Sequence, residues 1–181
     1  MDLLETPRLL LRPFGPGDAP LVHRVYSDPE VMRYVATGPM ADLSVTERLL
    51  QDYEAHQKRL GYSFWAVIER ESGSLIGDAG LYRTPTGEVE LGYTLGVAWW
   101  GRGYATEAAR AVLAYGFEQL ALSEIVSFTT VANVRSRRVM DKLGMRRSPA
   151  DDFLHPKIPD GHPQQPHVLY RLPRAVFRLA T

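Results

Sequence analysis

The sequence has no cysteine among its 181 residues. This absence excludes disulfide bridges, thiolate nucleophiles and zinc sites with cysteine ligands. Lysine plus arginine and aspartate plus glutamate both total 21, so the formal net charge at pH 7 is zero. A chain without excess positive charge creates no overall field that attracts nucleic acid or an anionic membrane surface. We therefore expect neither nucleic acid nor a membrane as a partner.

A long hydrophobic run is also missing. No window approaches the roughly 18 apolar residues that would span a bilayer. The N-terminal stretch MDLLETPRLLLRPF lacks the basic and then apolar layout of a signal peptide, because Arg8 and Arg12 interrupt its apolar residues. We expect a soluble, cytoplasmic protein. A chain of this length is expected to form one domain, residues 1–181, with a core that needs no disulfide.

The period of the hydrophobic residues changes along the chain, which predicts a mixed α/β fold. The predicted strands are 8–14, 64–70, 75–82, 89–95, 125–130 and 168–172, and the predicted helices begin at Asp18, at Ser44, at residue 104 and near residue 134. Ser44 and Glu47 form a capping-box pattern, and Asn133 is the expected N-cap of the last helix. Short turns join the second, third and fourth strands into an antiparallel meander, and helix 104–120 then connects the fourth strand to the fifth.

Two glycines, Gly101 and Gly103, lie between a predicted strand and a predicted helix in the stretch WWGRGYATEA. The start of a helix leaves main-chain N–H groups without partners and carries partial positive charge, so such a turn can hold phosphate. No Gly-Lys-Ser/Thr follows, which excludes a Walker loop, and the preceding antiparallel strands argue against a dinucleotide fold. The glycines alone predict either a tight turn or a phosphate site.

Three ordered motifs together resemble the GCN5-related N-acetyltransferase (GNAT) superfamily. They are TPRLLLRPFGPGD near the start, WGRGYATEA, and VANVRSRRVMDKLGM one strand later. The closer resemblance is to the branch that includes the enzymes acetylating the N-termini of ribosomal proteins, and it covers about residues 6–147. It implies a GNAT-type fold, in which helices flank a central, mostly antiparallel, twisted sheet and strands 89–95 and 125–130 splay apart.

The resemblance also implies acetyl-CoA as the acetyl donor. The superfamily's phosphate loop, usually Q/R-x-x-G-x-G/A, corresponds to residues 100–105, so Trp100 replaces Gln or Arg. This departure matters little if main-chain N–H groups hold the pyrophosphate. The residues implied for the pyrophosphate are Gly101, Arg102, Gly103, Tyr104, Ala105 and Thr106, and those implied for the pantetheine arm are Leu95, Gly96 and Val97. Gly92 and Gly96 are consistent with a bulge in strand 89–95, and ordinary strand and turn glycines are the alternative.

An amine acceptor arrives mostly protonated, so a base or a chain of waters must take its proton before attack. Glu88 and Glu90 are spaced by two along the strand, which puts both on one face. Glu90 is the predicted base, and a solvated strand face or an ion pair with an arginine is the alternative.

The last predicted helix begins with residues that suit a ligand groove. The resemblance places Asn133 against the pantetheine and Ser136 beside the sulfur, where Ser136 would act as the acid for the departing thiolate. The residues alone also suit ordinary structure, because Asn133 is a good N-cap and Ser136 is a common first-turn residue. Arg137 and Arg138 follow directly, and they either reach the ligand's phosphates or lie in solvent.

The segment 151–167 is rich in proline and contains His155, His162 and His167. The spacing of these histidines matches no metal-ligand pattern, so no metal is predicted. A long loop inside a compact domain is more often functional than idle. We expect this segment, with Asp152 and His155, to border the acceptor pocket.

The leading interpretation is an N-acetyltransferase that moves an acetyl group from acetyl-CoA to a primary amine by direct attack in a ternary complex. The amine is a protein N-terminus, an amino acid or a small amine. Two alternatives stay open: a module that binds acetyl-CoA without turnover, and a small α/β scaffold without a ligand. A homodimer is compatible with the sequence, in which no feature decides the oligomeric state.

Overall fold

The computed structural model describes residues 2–177. In chain order the strands and helices are β1 (Leu4–Glu5), β2 (Leu9–Arg12), α1 (Asp18–Tyr26), α2 (Pro29–Met32), α3 (Leu43–Leu60), β3 (Phe64–Glu69), β4 (Leu75–Arg83), β5 (Val89–Leu95), α4 (Tyr104–Glu118), β6 (Glu124–Thr130), α5 (Val134–Lys142), β7 (Arg146–Arg147), β8 (Phe153–Leu154) and β9 (Pro166–Pro173). Short 3-10 turns lie at 97–99, 149–151 and 174–176. None of the helices within residues 2–177 is both long and apolar enough to cross a bilayer.

The strands form one sheet in the order β1-β2-β3-β4-β5-β6-β9-β7, and β8 pairs with β9. Strands β2 to β5 are antiparallel neighbours, which confirms the predicted meander. The parallel pair β5–β6 has a single register pair, Glu90 with Val126, although both strands continue to Leu95 and Thr130. The two strands therefore separate toward their C-terminal ends, and the predicted splay is confirmed.

The two faces of β5 pack against different helices because side chains alternate along a strand. Leu91 and Leu95 belong to the main core, which includes Ala109 and Leu113 on the apolar side of α4. Thr94 lies on the opposite face, where its hydroxyl is 3.4 Å from the Tyr26 hydroxyl of α1. The sheet therefore lies between α4 on one face and α1 on the other.

Helix starts were predicted with mixed success. Asn133 is the N-cap of α5, and its Oδ1 accepts the Ser136 N–H at 3.2 Å. The capping box at Ser44 is wrong: α3 begins at Leu43 after Asp42, and the Ser44 hydroxyl donates to the Asp42 carboxylate. The nearby acid occupies the N-cap position and draws the hydroxyl away from the helix.

The bulge predicted from Gly92 and Gly96 is also wrong. The β4–β5 register runs without a shift from Gly77–Leu95 to Arg83–Val89, and the irregularity lies between Val67 and Ile68 of β3. Gly92 has a packing reason instead. A Cβ atom there would lie 2.6 Å from Cζ of Phe64, so a side chain at this position would displace that ring.

Candidate active site

The loop before α4 has the backbone conformation of an anion-binding turn. Gly101 has φ +75° and Gly103 has φ +84°, in the left-handed region that side-chain-bearing residues rarely adopt. A Cβ atom at Gly101 would meet nothing within 4 Å, so the space in front of this residue is open. Glycine is therefore required by the turn itself, and its absent side chain also leaves the backbone accessible.

The main-chain N–H groups of residues 101–106 donate to no other residue in the described part of the chain. The first hydrogen bond of α4 runs from the Glu107 N–H to the Gly103 carbonyl at 3.0 Å. Six consecutive donors are therefore available at the positive end of the helix dipole, which is an arrangement that suits phosphate. The pyrophosphate prediction for these residues is compatible with the loop and stays a prediction.

Arg8 holds this loop in place. Its Nε donates to Oε2 of Glu107 at 2.7 Å, and its Nη1 donates to the Arg102 carbonyl at 2.9 Å. The guanidinium also lies 4.5 Å from the centre of the Tyr104 ring. Thr6 adds a hydrogen bond to Oε1 of Glu107 at 2.6 Å. The Thr-x-Arg motif at the start of the chain therefore positions the glycine loop, a role that the motif alone does not reveal.

The predicted side-chain cations differ in their surroundings. Arg102 is exposed and its guanidinium lies 5.4 Å from the Trp99 ring, so it remains beside the loop. Arg137 is fixed to the turn after β6, because its Nη1 donates to the Val131 carbonyl at 3.2 Å. Arg138 is exposed on α5, and its proposed contact with the ligand stays a prediction.

Main-chain groups at the end of β5 were expected to bind the pantetheine arm, and two of them already have partners within the protein. The Leu95 carbonyl accepts the Trp100 indole N–H at 2.7 Å, and the Gly96 N–H donates to the Ile76 carbonyl at 2.9 Å. The 3-10 turn at 97–99 brings the indole back toward the strand. Trp100, which replaces the usual Gln or Arg, thus forms a hydrogen bond with the main chain of β5.

Ser136 lies beside a hydroxyl that the sequence did not reveal. The Tyr93 Oη is 2.9 Å from Ser136 Oγ and donates to the Ser136 carbonyl at 3.1 Å. This contact joins β5 to α5 across the opening between the splayed strands. Asn133 braces the same turn, since its Nδ2 donates to Thr129 Oγ1 at 3.0 Å. Burial raises the pKa of Tyr93, so its hydroxyl keeps its proton and serves as a donor.

The two candidate acids, Glu88 just before β5 and Glu90 within it, have different partners. Glu88 forms an ion pair with Arg171 at 3.0 Å. Glu90 forms no hydrogen bond or ion pair with another residue between positions 2 and 177. It is partly exposed, and burial raises its pKa to about 8. The carboxyl group is therefore mostly protonated at pH 7 and becomes able to accept a proton as pH rises through about 8.

Aromatic rings line the sheet on the Glu90 face. The Phe64 ring lies against Gly92, and the Tyr53 ring stacks on Phe64 with centroids 4.6 Å apart. Across the splay, the rings of His155 and His167 are 4.7 Å apart and adjoin Phe128 of β6.

Asp152 and His155 of segment 151–167, which were expected to border the acceptor pocket together, have different surroundings. His155 belongs to this aromatic group, and burial lowers its pKa, so it is neutral at pH 7. Asp152 instead forms an ion pair with Arg147. No set of three or more His, Asp or Glu side chains in the described residues is arranged to hold a metal ion.

A mostly antiparallel open sheet flanked by helices matches the fold of solved GNAT acetyltransferases. The structure of a GNAT-family acetyltransferase from Bacillus anthracis superimposes with a TM-score of 0.82 at 28% identity, over 96% of this chain and 99% of that one. The family model described as "Acetyltransferase (GNAT) domain" matches residues 8–146. The chain belongs to the GNAT acetyltransferase family.

Two relatives are similar to most of the chain. One is the Bacillus subtilis (strain 168) protein named "Uncharacterized N-acetyltransferase YnaD", which is 34% identical over 88% of this chain and 89% of its own length. The other is the Aspergillus fumigatus protein named "FsC-acetyl coenzyme A-N(2)-transacetylase", which is 31% identical over 78% of this chain and 64% of its own length.

Proposed function

We propose that the protein transfers the acetyl group of acetyl-CoA to a primary amine. The observation that carries the proposal is the glycine turn at residues 101–106, whose six main-chain donors stand at the start of α4 beside the opening between β5 and β6. A diphosphate linked to an extended arm matches that combination, because the turn holds the charge and the opening admits the arm.

The ligand would be held along one continuous path. The main-chain N–H groups from Gly101 to Thr106 bind the pyrophosphate, with Arg102 and Arg138 as added cations. The pantetheine arm enters the splay beside Leu95, Gly96, Val97 and Asn133. The Leu95 carbonyl already accepts the Trp100 indole N–H, so the arm would pair with it through the second lone pair of the oxygen.

Bound acetyl-CoA supplies an activated thioester to the groove. Side chains of the protein then accept and donate the protons of the reaction. Glu90 in its carboxylate form, which prevails above about pH 8, accepts the proton that an arriving ammonium must lose. The paired hydroxyls of Ser136 and Tyr93 offer a proton donor at the opening between β5 and α5.

The acceptor is proposed only as a primary amine. The Aspergillus fumigatus relative carries a name that specifies N(2) transacetylation, which supports a nitrogen acceptor. The acceptors proposed are a protein N-terminus, an amino acid and a small amine.

The test is an assay of thiol release from acetyl-CoA with a panel of amines and short peptides, with the acetylated product verified by mass spectrometry. We expect protein-dependent release with at least one acceptor. Binding of acetyl-CoA without release for any acceptor would favour the non-catalytic module. Neither binding nor release would favour the scaffold, and either result would contradict the proposal.

A further inference from the structure

Glu90 lies at the closed end of a cleft between β5 and β6. It is in register with Val126 of β6, and beyond this pair the two strands separate. Side chains two positions further along each strand lie on the same face, so Gly92 and Phe128 flank the opening. The arm of acetyl-CoA is proposed to enter from the glycine loop at the C-terminal end of β5. Its thioester would therefore point along this cleft toward Glu90.

Aromatic rings form both walls of the cleft. On the β5 side, the Phe64 ring lies over the strand, and Tyr82 of β4 is in register with Glu90. On the β6 side, the rings of Phe128 and Phe153 are 5.3 Å apart. All four rings keep part of their surface exposed. Exposed aromatic surface around a single polar group is typical of a site for an apolar ligand.

Within the described residues, the cation in the same row of the sheet as Glu90 is already surrounded by acids. It is Arg171 of β9. Its guanidinium forms ion pairs with Glu88 at 3.0 Å, Glu124 at 2.9 Å and Asp151 at 3.1 Å. Three negative charges around one positive charge make this end of the cleft unfavourable for a further carboxylate.

The histidines on the β6 wall are uncharged as well. Burial lowers the pKa values of His155 and His167, whose rings adjoin Phe128, so both are neutral at pH 7. The nearby Lys157 is exposed, so water and salt screen its charge. An amino acid would bring its carboxylate next to the amino group and hence close to Glu90. Repulsion and lost hydration both oppose that arrangement.

We infer that the acceptor is a small primary amine that carries an aromatic group and has no carboxylate beside the amino group; this inference rests on the proposed function. The ring of the acceptor packs between Phe64 and Phe128, and its ammonium faces Glu90. Ring–ring contacts add to the burial of apolar surface, and a cation near a ring face gains further attraction. These contacts favour an arylalkylamine over an amino acid and over a small aliphatic amine.

Steady-state kinetics with phenethylamine, phenylalanine and ethylamine test this inference, because phenylalanine adds only the carboxylate and ethylamine lacks only the ring. The assays are run at pH 8.5, where the Glu90 carboxylate prevails. We expect kcat/KM for phenethylamine to exceed the other two values by at least about tenfold. Spermidine and trialanine represent the other classes of acceptor and should also react more slowly. A value for any of these four acceptors that equals or exceeds that of phenethylamine overturns the inference.

Two variants test the aromatic wall and the charge separately. Phe128→Leu should raise KM for phenethylamine by about tenfold and leave ethylamine unchanged, whereas Phe177→Leu, at a ring that packs in the α4 core, should alter neither. Glu88→Gln frees part of the Arg171 guanidinium and should narrow the preference for phenethylamine over phenylalanine by about threefold. Glu118→Gln removes the same charge from α4 and should leave the preference unchanged. Equal effects of each variant and its control would contradict the inference.

Calorimetric titration in the presence of coenzyme A does not depend on turnover. We expect phenethylamine to bind at least about tenfold more tightly than phenylalanine. If it does so but no amine supports thiol release, the proposed function fails while the preference of the cleft for aromatic amines stands. If phenethylamine binds no more tightly than phenylalanine, the inference is overturned whatever the activity.

Discussion

Three buried or partly buried acids show how local partners set the charge of single residues. Asp78 and Glu90 form no ion pair with a described residue, and burial raises their pKa values to about 7 and about 8. Glu69 is also buried, yet hydrogen bonds from Ser72 lower its pKa. Hydrogen-bond donors to the carboxylate therefore decide the difference.

These raised pKa values predict how stability depends on pH. Asp78 and Glu90 bind protons more tightly in the folded protein than in the unfolded chain, so their contribution to stability is complete below about pH 4 and is lost as pH rises through their folded pKa values. Asp78→Asn should remove the part of this loss that ends near pH 7, and Glu90→Gln the part that ends near pH 8. As pH rises, the free energy of unfolding should fall less in Asp78→Asn than in the wild type, by on the order of 2–4 kcal/mol.

Urea unfolding at several pH values between 4.5 and 8.5 measures this dependence. Glu118→Gln, an exposed position near the end of α4, is the control and should leave the pH profile unchanged. Identical pH profiles for wild type and Asp78→Asn would contradict a buried acid that ionises near neutrality.

At the scale of elements, the position of the loop before α4 depends both on its own backbone conformation and on side chains from a distant part of the sequence. The two left-handed glycines create the turn, and Arg8 fixes its position through the Arg102 carbonyl and Glu107. Burial alone would raise the pKa of Glu107, but the bonds from Thr6 and Arg8 outweigh it and lower that pKa. The carboxylate therefore stays ionised and holds Arg8 against the loop.

Gly101→Ala tests the ligand role of this turn. The substitution imposes strain of roughly 1 kcal/mol at a left-handed position and adds a methyl group to the open space where phosphate is proposed to lie. Gly61→Ala is a matched control, because Gly61 has φ +83° at the end of α3 and also has no atom within 4 Å of its Cβ position. We expect similar losses of thermal stability in both variants, and at least a tenfold loss of acetyl-CoA affinity by calorimetry only in Gly101→Ala. Equal affinities in the two variants would contradict the loop's role.

The sequence predicted elements better than contacts. The meander, the splay and the Asn133 cap follow from local patterns and the family motifs, and all are confirmed. The contacts of Tyr93 with Ser136 and of Tyr26 with Asp78 join residues 43 and 52 positions apart. Hydrophobic periodicity indicates which face a side chain occupies, but not which distant side chain it meets there. The wrong cap at Ser44 has a local cause, since Asp42, two residues earlier, occupies the N-cap position and Ser44 lies inside the helix.

At the scale of the whole molecule, the fold brings three separate chain segments to one groove. The N-terminal Thr-x-Arg motif positions the glycine loop, β5 and β6 open beside it, and α5 returns Asn133 and Ser136 to the opening. Trp100 links these parts, because its indole bonds to the Leu95 carbonyl and its ring lies 4.5 Å from the Arg135 guanidinium of α5. A ligand in this groove would contact all three segments at once.

The central claim is that this groove binds acetyl-CoA through its pyrophosphate, and calorimetric titration of the wild-type protein tests it most directly. We expect saturable one-to-one binding of acetyl-CoA, and stabilisation against unfolding of about 2.7 kcal/mol at 100 times the dissociation constant. S-acetylpantetheine lacks the pyrophosphate and should bind at least tenfold more weakly. Absence of acetyl-CoA binding, or equal affinity for the two thioesters, would contradict the account.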